Sequence, residues 1–251
     1  MKYKIYLINL DEREDKLANV KSQLDALGLD FDRVSAIRGS QLSEGEINAV
    51  YSADKNASSY LKKMSVGEIG CYMSHRAVWQ SIVSERLDFA VLIEDDAKIL
   101  DGFEAVFGML GQLSNWDYVK LHGGRGGRKI CETVSINEQY DLVHYDNAPV
   151  STLAQGISLR GAKKLLDSSE PFYRPVDVDI QLYWEKDIDV LGIEPRVVDK
   201  ADFDSDIDAQ SKGRGRAKKS GFWKRLVYRI NLALIRNRNN KLRPNLETYL
   251  K

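Results

Sequence analysis

Three carboxylates stand side by side at Glu94, Asp95 and Asp96, directly after the apolar run Ala90, Val91, Leu92 and Ile93. Such a run has no solvent side to alternate toward and predicts a short strand buried on both faces. Adjacent carboxylates at the mouth of that strand repel one another and resist desolvation, so bulk water, a cationic side chain or a divalent ion must offset them. Oxygen-rich clusters suit Mg2+ or Mn2+, which keep open positions for diphosphate oxygens. A solvated acidic loop is the plainer alternative.

Two further acids, Asp177 and Asp179, follow Pro171 and Pro175. In an extended segment they share a face. In a helix that opens there, Asp177 is the N-cap and Asp179 lies in the first turn, where the dipole favours a carboxylate. His75 has no ligand-spaced partner and reads as a helix histidine bonded to a neighbour. Residues 122–129, HGGRGGRK, set Arg125, Arg128 and Lys129 among four glycines. That composition suits phosphate, a closing lid or a mobile surface hairpin, but it has neither a P-loop ending nor a dinucleotide fingerprint.

The elements that must position these groups alternate between strand and helix. Residues 3–10 predict an opening strand, 12–27 a helix stopped by Gly28, and 31–36 a second strand. Parallel strands joined by right-handed crossovers bring their following loops to one face, the face of the acidic cluster. Ser65 with Glu68 three residues later is a capping-box pattern for a helix that carries Ser74, His75 and Arg76. Gly67 and Gly70 in its opening turns cost helix stability, so close packing or a close ligand must account for them. Further strands are expected at 116–121, 140–145, 151–159 and 188–193, with a helix from Ala162.

The 251 residues suffice for one sizeable core. The net charge of zero hides segregation: residues 212–251 hold 13 of the 37 basic residues and one of the 37 acids, Glu247. A basic tail on an acidic body seeks an anionic surface, and the acidic body argues against nucleic acid. The tail reads as a flexible linker and an amphipathic helix with Trp223, Leu226, Val227, Ile230, Ala233 and Leu234 on one side, the description of an interfacial membrane helix. A helix packed on its own domain or on a second copy is the alternative. Two distant cysteines and no leader-like or membrane-spanning run predict a cytoplasmic protein, peripheral on the inner face of the plasma membrane.

In order and separation, INLDERED, GEIGCYMSHRAVWQ, VLIEDDA and SLRGAKKLL resemble glycosyltransferase family 25, over roughly residues 3–210. The resemblance implies an α/β fold of GT-A type, Rossmann-like, with a mixed, mostly parallel sheet. It also implies a nucleotide-sugar donor such as UDP-galactose, a Mn2+ or Mg2+ ion, and a lipid-linked oligosaccharide acceptor of lipooligosaccharide type. Glu94 and Asp96 match the outer acids of the family's metal motif, with Asp96 the direct ligand and Asp95 between them. Glu94 is a departure from its usual Asp. Asn9, Leu10 and Arg13 match the first-strand motif facing the nucleotide, Ala36 and Gly39 border the base, and Ser74 and His75 match the second motif. Asp177 matches an acid after the family's proline-valine, and an inverting transfer makes Asp179 and Asp177 the expected bases. The expected division is a catalytic domain at 1–211 and a basic tail at 212–251. Another Mg2+-dependent nucleotidyl or phosphoryl transferase, or a membrane-binding adaptor, stays open.

Overall fold

The computed structural model describes residues 1–60, 62–123, 128–203 and 222–250, the side chains of 222–227 excepted. Arg125 with the glycines 124, 126 and 127, the acidic stretch 204–208, the linker 212–221 and the side chains of Trp223, Leu226 and Val227 lie outside the described residues.

An eight-stranded sheet forms the centre, in the order β2-β1-β3-β8-β5-β9-β7-β6. Its strands are β1 (Tyr3–Asn9), β2 (Asp32–Ser35), β3 (Phe89–Glu94), β5 (Tyr118–Lys120), β6 (Ile130–Ser135), β7 (Asp141–Tyr145), β8 (Ala154–Ser158) and β9 (Val190–Glu194). Strands β2, β1 and β3 run parallel, as do β5 and β9, while β8 and β7 run against their neighbours. The sheet is mixed and of the α/β class, as the sequence predicts; six of its eight strands point one way, but four of its seven pairings are antiparallel.

β3 is buried on both faces for the expected reason. Phe89, Val91 and Ile93 join one apolar core, and Ala90 and Leu92 join the other. Helix α1 (Glu14–Ala26) covers the first through Val20 and Leu24. Helix α4 (Val66–Ser84) covers the second through Ile69, Tyr72, Val78, Trp79 and Ile82, assisted by α6 (Leu159–Asp167). Short helices α2 (Glu44–Val50) and α3 (Ala53–Ser59) lead into α4, and α5 (Phe103–Leu110) adds Phe103, Val106 and Leu110 to the first core.

Both reciprocal bonds of the capping box form at the start of α4: Ser65 Oγ accepts from Glu68 N at 3.2 Å, and Glu68 Oε2 accepts from Ser65 N at 2.7 Å. Gly70 then meets the loop after β2 so closely that an added Cβ would collide with Ile37 O and Gly39 N, and one on Gly39 would collide with Val66 O. Close packing therefore accounts for Gly70, and it presses the first turns of α4 against the end of β2.

A second, two-stranded sheet pairs β4 (Ala97–Ile99) with β10 (Val198–Lys200), antiparallel, in the register Lys200 to Ala97. Helix α7 (Val176–Gln181) takes Pro175 as its N-cap, so Asp177 and Asp179 both lie in its first turn. The chain ends in α8 (Phe222–Asn240) and a 3-10 turn at Leu246–Tyr249. This end is built into the body: Leu246 and Tyr249 are buried in the first core, and Asn240 and Arg243 bond to Asp146 O and Tyr145 O. Arg243 also lies 4.1 Å from the Tyr183 ring centroid. No helix among the described residues is long and apolar enough to cross a membrane.

Candidate functional site

The carboxyl ends of β1, β2 and β3 open on one face, and a cavity sits against them. It is lined by Asn9 and Leu10 after β1, Ala36 to Gly39 after β2, Ser74 and His75 on α4, and Glu94, Asp95 and Asp96 after β3. Every residue expected to face the nucleotide is there except Arg13. Its guanidinium binds Asp15, while its carbonyl accepts from Asn9 Nδ2 at 2.9 Å. A second cavity, lined by His122, Thr152, Asp177 and Lys200 among others, shares Cys71, Glu94 and Asp96 with the first. Glu94 and Asp96 thus stand on the wall between two cavities.

Each of the three acids has its own support. Asp95 turns back into the fold, where Asn9 Nδ2 donates to it at 2.9 Å and the ammonium of buried Lys16 lies 3.6 Å away. Asn9 itself is fixed by Arg33 Nε, which donates to its Oδ1 at 3.0 Å. Glu94 Oε1 accepts from Thr152 Oγ1 at 2.6 Å and lies 3.1 Å from His75 Nε2. Burial alone would push the Glu94 carboxyl up, but His75, Thr152 and the Lys120 charge outweigh it and hold the group below the usual carboxylate range. Asp96 moves the other way: burial and the Glu94 charge raise it, and Lys200, 3.2 Å from Oδ2, offsets this only in part.

His75 is bonded on both ring nitrogens, with Gln155 Nε2 donating to Nδ1 at 3.1 Å, so Nε2 carries the proton shared with Glu94. Ser74 Oγ accepts from Ile37 N and donates to Gly70 O, both at 2.8 Å, which ties α4 to the cavity edge. The helix-histidine reading of His75 holds, and its neighbours are Glu94 and Gln155.

The two acids of α7 part company. Asp177 lines the second cavity, and burial, followed by the repulsion of Glu94, pushes its carboxyl above the ordinary aspartate range against the pull of Val178 N and Lys120. Asp179 is 1% exposed, bound by Arg174 at 2.7 Å, Lys186 at 2.7 Å and the Tyr72 hydroxyl at 2.5 Å. Arg174 Nε also donates to its Oδ1 at 2.9 Å, so two guanidinium nitrogens, an ammonium and a phenol occupy the acceptor positions of this carboxylate. Of the two expected bases, Asp179 is therefore a structural anion.

Lys200, Thr152, Lys120, His122 and Cys71 belong to the site without having been singled out from sequence. Lys200 is delivered by the β4–β10 ribbon, where Ala201 N also donates to Asp96 O at 2.8 Å. Lys120, on β5, is wholly buried behind the motif and donates to Ser151 O, and burial lowers its ammonium to about 8. His122 follows the end of β5 and donates through Nδ1 to Val198 O at 3.0 Å, which leaves Nε2 as an acceptor. The strand-end rule that marks Glu94 also marks His122. The spacing that marks Cys71 is its position four residues before His75 on one helix face.

These groups fit a divalent ion. Burial and the Glu94 charge raise the cost of ionising Asp96 across a shared cavity wall, and the described residues bond Glu94 only at Oε1 and Asp96 only at Oδ2. Two carboxylate oxygens therefore remain available, a hard donor set suited to Mn2+ or Mg2+.

The family model described as glycosyltransferase family 25 (LPS biosynthesis protein) matches residues 2–180. A glycosyltransferase 25 family member of Aedes aegypti is 31% identical over 182 residues, 70% of this chain and 29% of its own length. The chain belongs to glycosyltransferase family 25. Within the family, procollagen galactosyltransferase 1-A of Xenopus laevis is 30% identical over 72% of this chain and 31% of its own length. The mouse protein named inactive glycosyltransferase 25 family member 3 is 25% identical over 81% of this chain and 38% of its own length. The chain thus spans about a third of these curated relatives. A solved β-1,4-galactosyltransferase 7 from Drosophila aligns over 91% of this chain at 9% identity and a TM-score of 0.39, a likeness too slight to add to the family match.

Proposed function

We propose that this family 25 chain transfers a hexose, galactose by preference, from a UDP-sugar bound in the first cavity to a glycan hydroxyl in the second. The observation that carries the reading is the shared wall: Glu94 and Asp96 face both cavities, so the bond to the departing diphosphate and the incoming hydroxyl meet there. When bound, a divalent ion supplies positive charge to the leaving diphosphate. Asp96 and Glu94 would hold it. His75 and Thr152 keep Glu94 ionised and oriented, and Asn9 with Lys16 keeps Asp95 turned away. Asp177 takes the acceptor proton, and its raised affinity for that proton suits the task.

Calorimetric titration of UDP-galactose, UDP-glucose and GDP-mannose, each with Mn2+ and with EDTA, tests the donor site. The expected outcome is metal-dependent binding of a UDP-sugar that disappears in Asp96→Ala. Binding that survives EDTA and is lost in Lys200→Ala would assign the positive charge to the lysine instead. Failure of every nucleotide sugar to bind would overturn the reading.

We further propose an acceptor of lipooligosaccharide type, carried on a lipid and met at an anionic membrane surface. Ile230, Leu234, Ile235 and Leu242 are exposed beside exposed Arg229, Arg238 and Lys241, the pairing that favours headgroup interfaces. Co-sedimentation is expected with vesicles rich in phosphatidylglycerol and not with phosphatidylcholine alone. It should be lost on Leu234→Glu with Ile230→Glu, and equal binding by that variant would discard the proposal.

A further inference from the structure

Cys71 and His75 are one turn apart on α4, and with Glu94 they place a sulfur, a ring nitrogen and a carboxylate oxygen within 4.8 Å of one another. The trio lies on the wall between the two cavities, open to both through Cys71. A thiolate, an imidazole and a carboxylate differ in kind from the all-oxygen pair Glu94 and Asp96. Sulfur and imidazole select Zn2+ and other borderline or soft ions, and zinc sites of three protein ligands keep a fourth position open. Burial, and after it the charges of Glu94, Asp177, Asp96 and Glu68, hold the Cys71 thiol well above its ordinary range, so the sulfur keeps its proton until a cation displaces it.

Gln155 adds an independent observation. It is fully buried, and its Oε1 has no hydrogen-bond partner among the described residues while Nε2 donates to His75 Nδ1. A metal on His75 Nε2 requires the ring proton on Nδ1 and an acceptor opposite it, as metal-bound histidines show generally. Turning the Gln155 amide over supplies that acceptor, with Oε1 facing Nδ1 and Nε2 moved to the position Oε1 now holds.

We propose that Cys71, His75 and Glu94 form a second, thiophilic metal site that takes Zn2+ and excludes the hard ion by claiming Glu94. Zn2+ displaces the Cys71 thiol proton to solvent as the sulfur–metal bond forms. His75 stays neutral while its N–H passes from Nε2 to Nδ1, and Glu94 binds as the carboxylate it already is. No oxidation state changes. The consequence that zinc inhibits sugar transfer, competitively with Mn2+ or Mg2+, rests on the function proposed above; the existence of the site does not.

The test therefore reads the metal directly. Co2+ is titrated into the full chain carrying Cys131→Ala, which removes the other, exposed cysteine. The expected result is a near-ultraviolet thiolate-to-cobalt charge-transfer band, discharged by Zn2+ and absent once Cys71→Ala is added. Zinc affinity, measured by competition with a chromophoric chelator, should fall on the order of 100-fold in that second variant, at least the loss that outer-shell changes alone produce. Asp96→Ala should retain the band, because it leaves all three ligands in place. Absence of the band in Cys131→Ala, its survival in the Cys71→Ala variant, or its loss in Asp96→Ala would overturn the site. A band without any transferase activity would leave the site standing and discard the functional reading alone.

Discussion

Asp177→Asn is expected to lower sugar transfer by roughly 10²–10⁴-fold, the range for loss of a general base, while leaving calorimetric binding of the UDP-sugar nearly unchanged. The separation follows from placement: Asp177 lines the second cavity and takes no part in the first. Among the described residues its carboxyl bonds only to its own helix, with Oδ1 accepting from Val178 N at 2.8 Å, a contact an Asn oxygen reproduces. Fold and donor site should both survive. Because burial and the Glu94 charge raise the Asp177 carboxyl, the protonated, inactive form persists to a higher pH than for an ordinary aspartate. Activity should therefore rise with pH along a limb displaced above the usual carboxylate range, and the Asn variant should lose that limb from its residual rate. Loss of donor binding in Asp177→Asn would move the residue into the donor site and leave the base unassigned.

Local pattern carries much of this site and stops where distant segments meet. Ala90 to Ile93 announces a doubly buried strand because nothing in the run alternates, and the three acids that end it must face solvent, ligand or cation whatever the rest of the chain does. The capping box at Ser65 and Glu68 is equally local, four residues that satisfy one another. Lys200, by contrast, reaches Asp96 only because β10 pairs with β4 across about a hundred residues of sequence, and no short window contains that pairing. Thr152 reaches Glu94 through the antiparallel β3–β8 register. Of the three means of offsetting the acids that the sequence leaves open, the fold supplies cationic side chains outright, Lys16 to Asp95 and Lys200 to Asp96, and leaves oxygens for an ion beside them. The chain end misleads in the other direction. Its charge marks it as a separate tail, whereas Leu246 and Tyr249, two apolar side chains in a polar stretch, anchor it in the core.

Asp179 shows the same limit most sharply, and it yields the second large effect. In sequence it differs from Asp177 by two positions in one helical turn; in the fold it is the centre of a buried ion cluster. Arg174, 3% exposed at its side chain, and Lys186, 4% exposed, both point at it, and Glu185 takes the remaining reach of Arg174 at 2.6 Å. The cluster balances two cations with two anions. Asp179→Ala removes the inner anion and leaves a net positive charge on two buried cations, and it strips the Tyr72 hydroxyl of its acceptor. Breaking a buried pair in this way costs about 3–5 kcal/mol. Measured as a midpoint in thermal denaturation, that is a fall of roughly 6–20 °C for a chain of this size. Asp177→Asn should shift the midpoint little. If the two acids exchanged these outcomes, with Asp179→Ala stable and catalytically dead, the base would be Asp179, and α7 would have to turn its first turn toward the cavity when substrate binds. Stability loss in Asp179→Ala with per-molecule activity retained in the folded fraction, set against activity loss in Asp177→Asn with the fold retained, separates the structural acid from the chemical one.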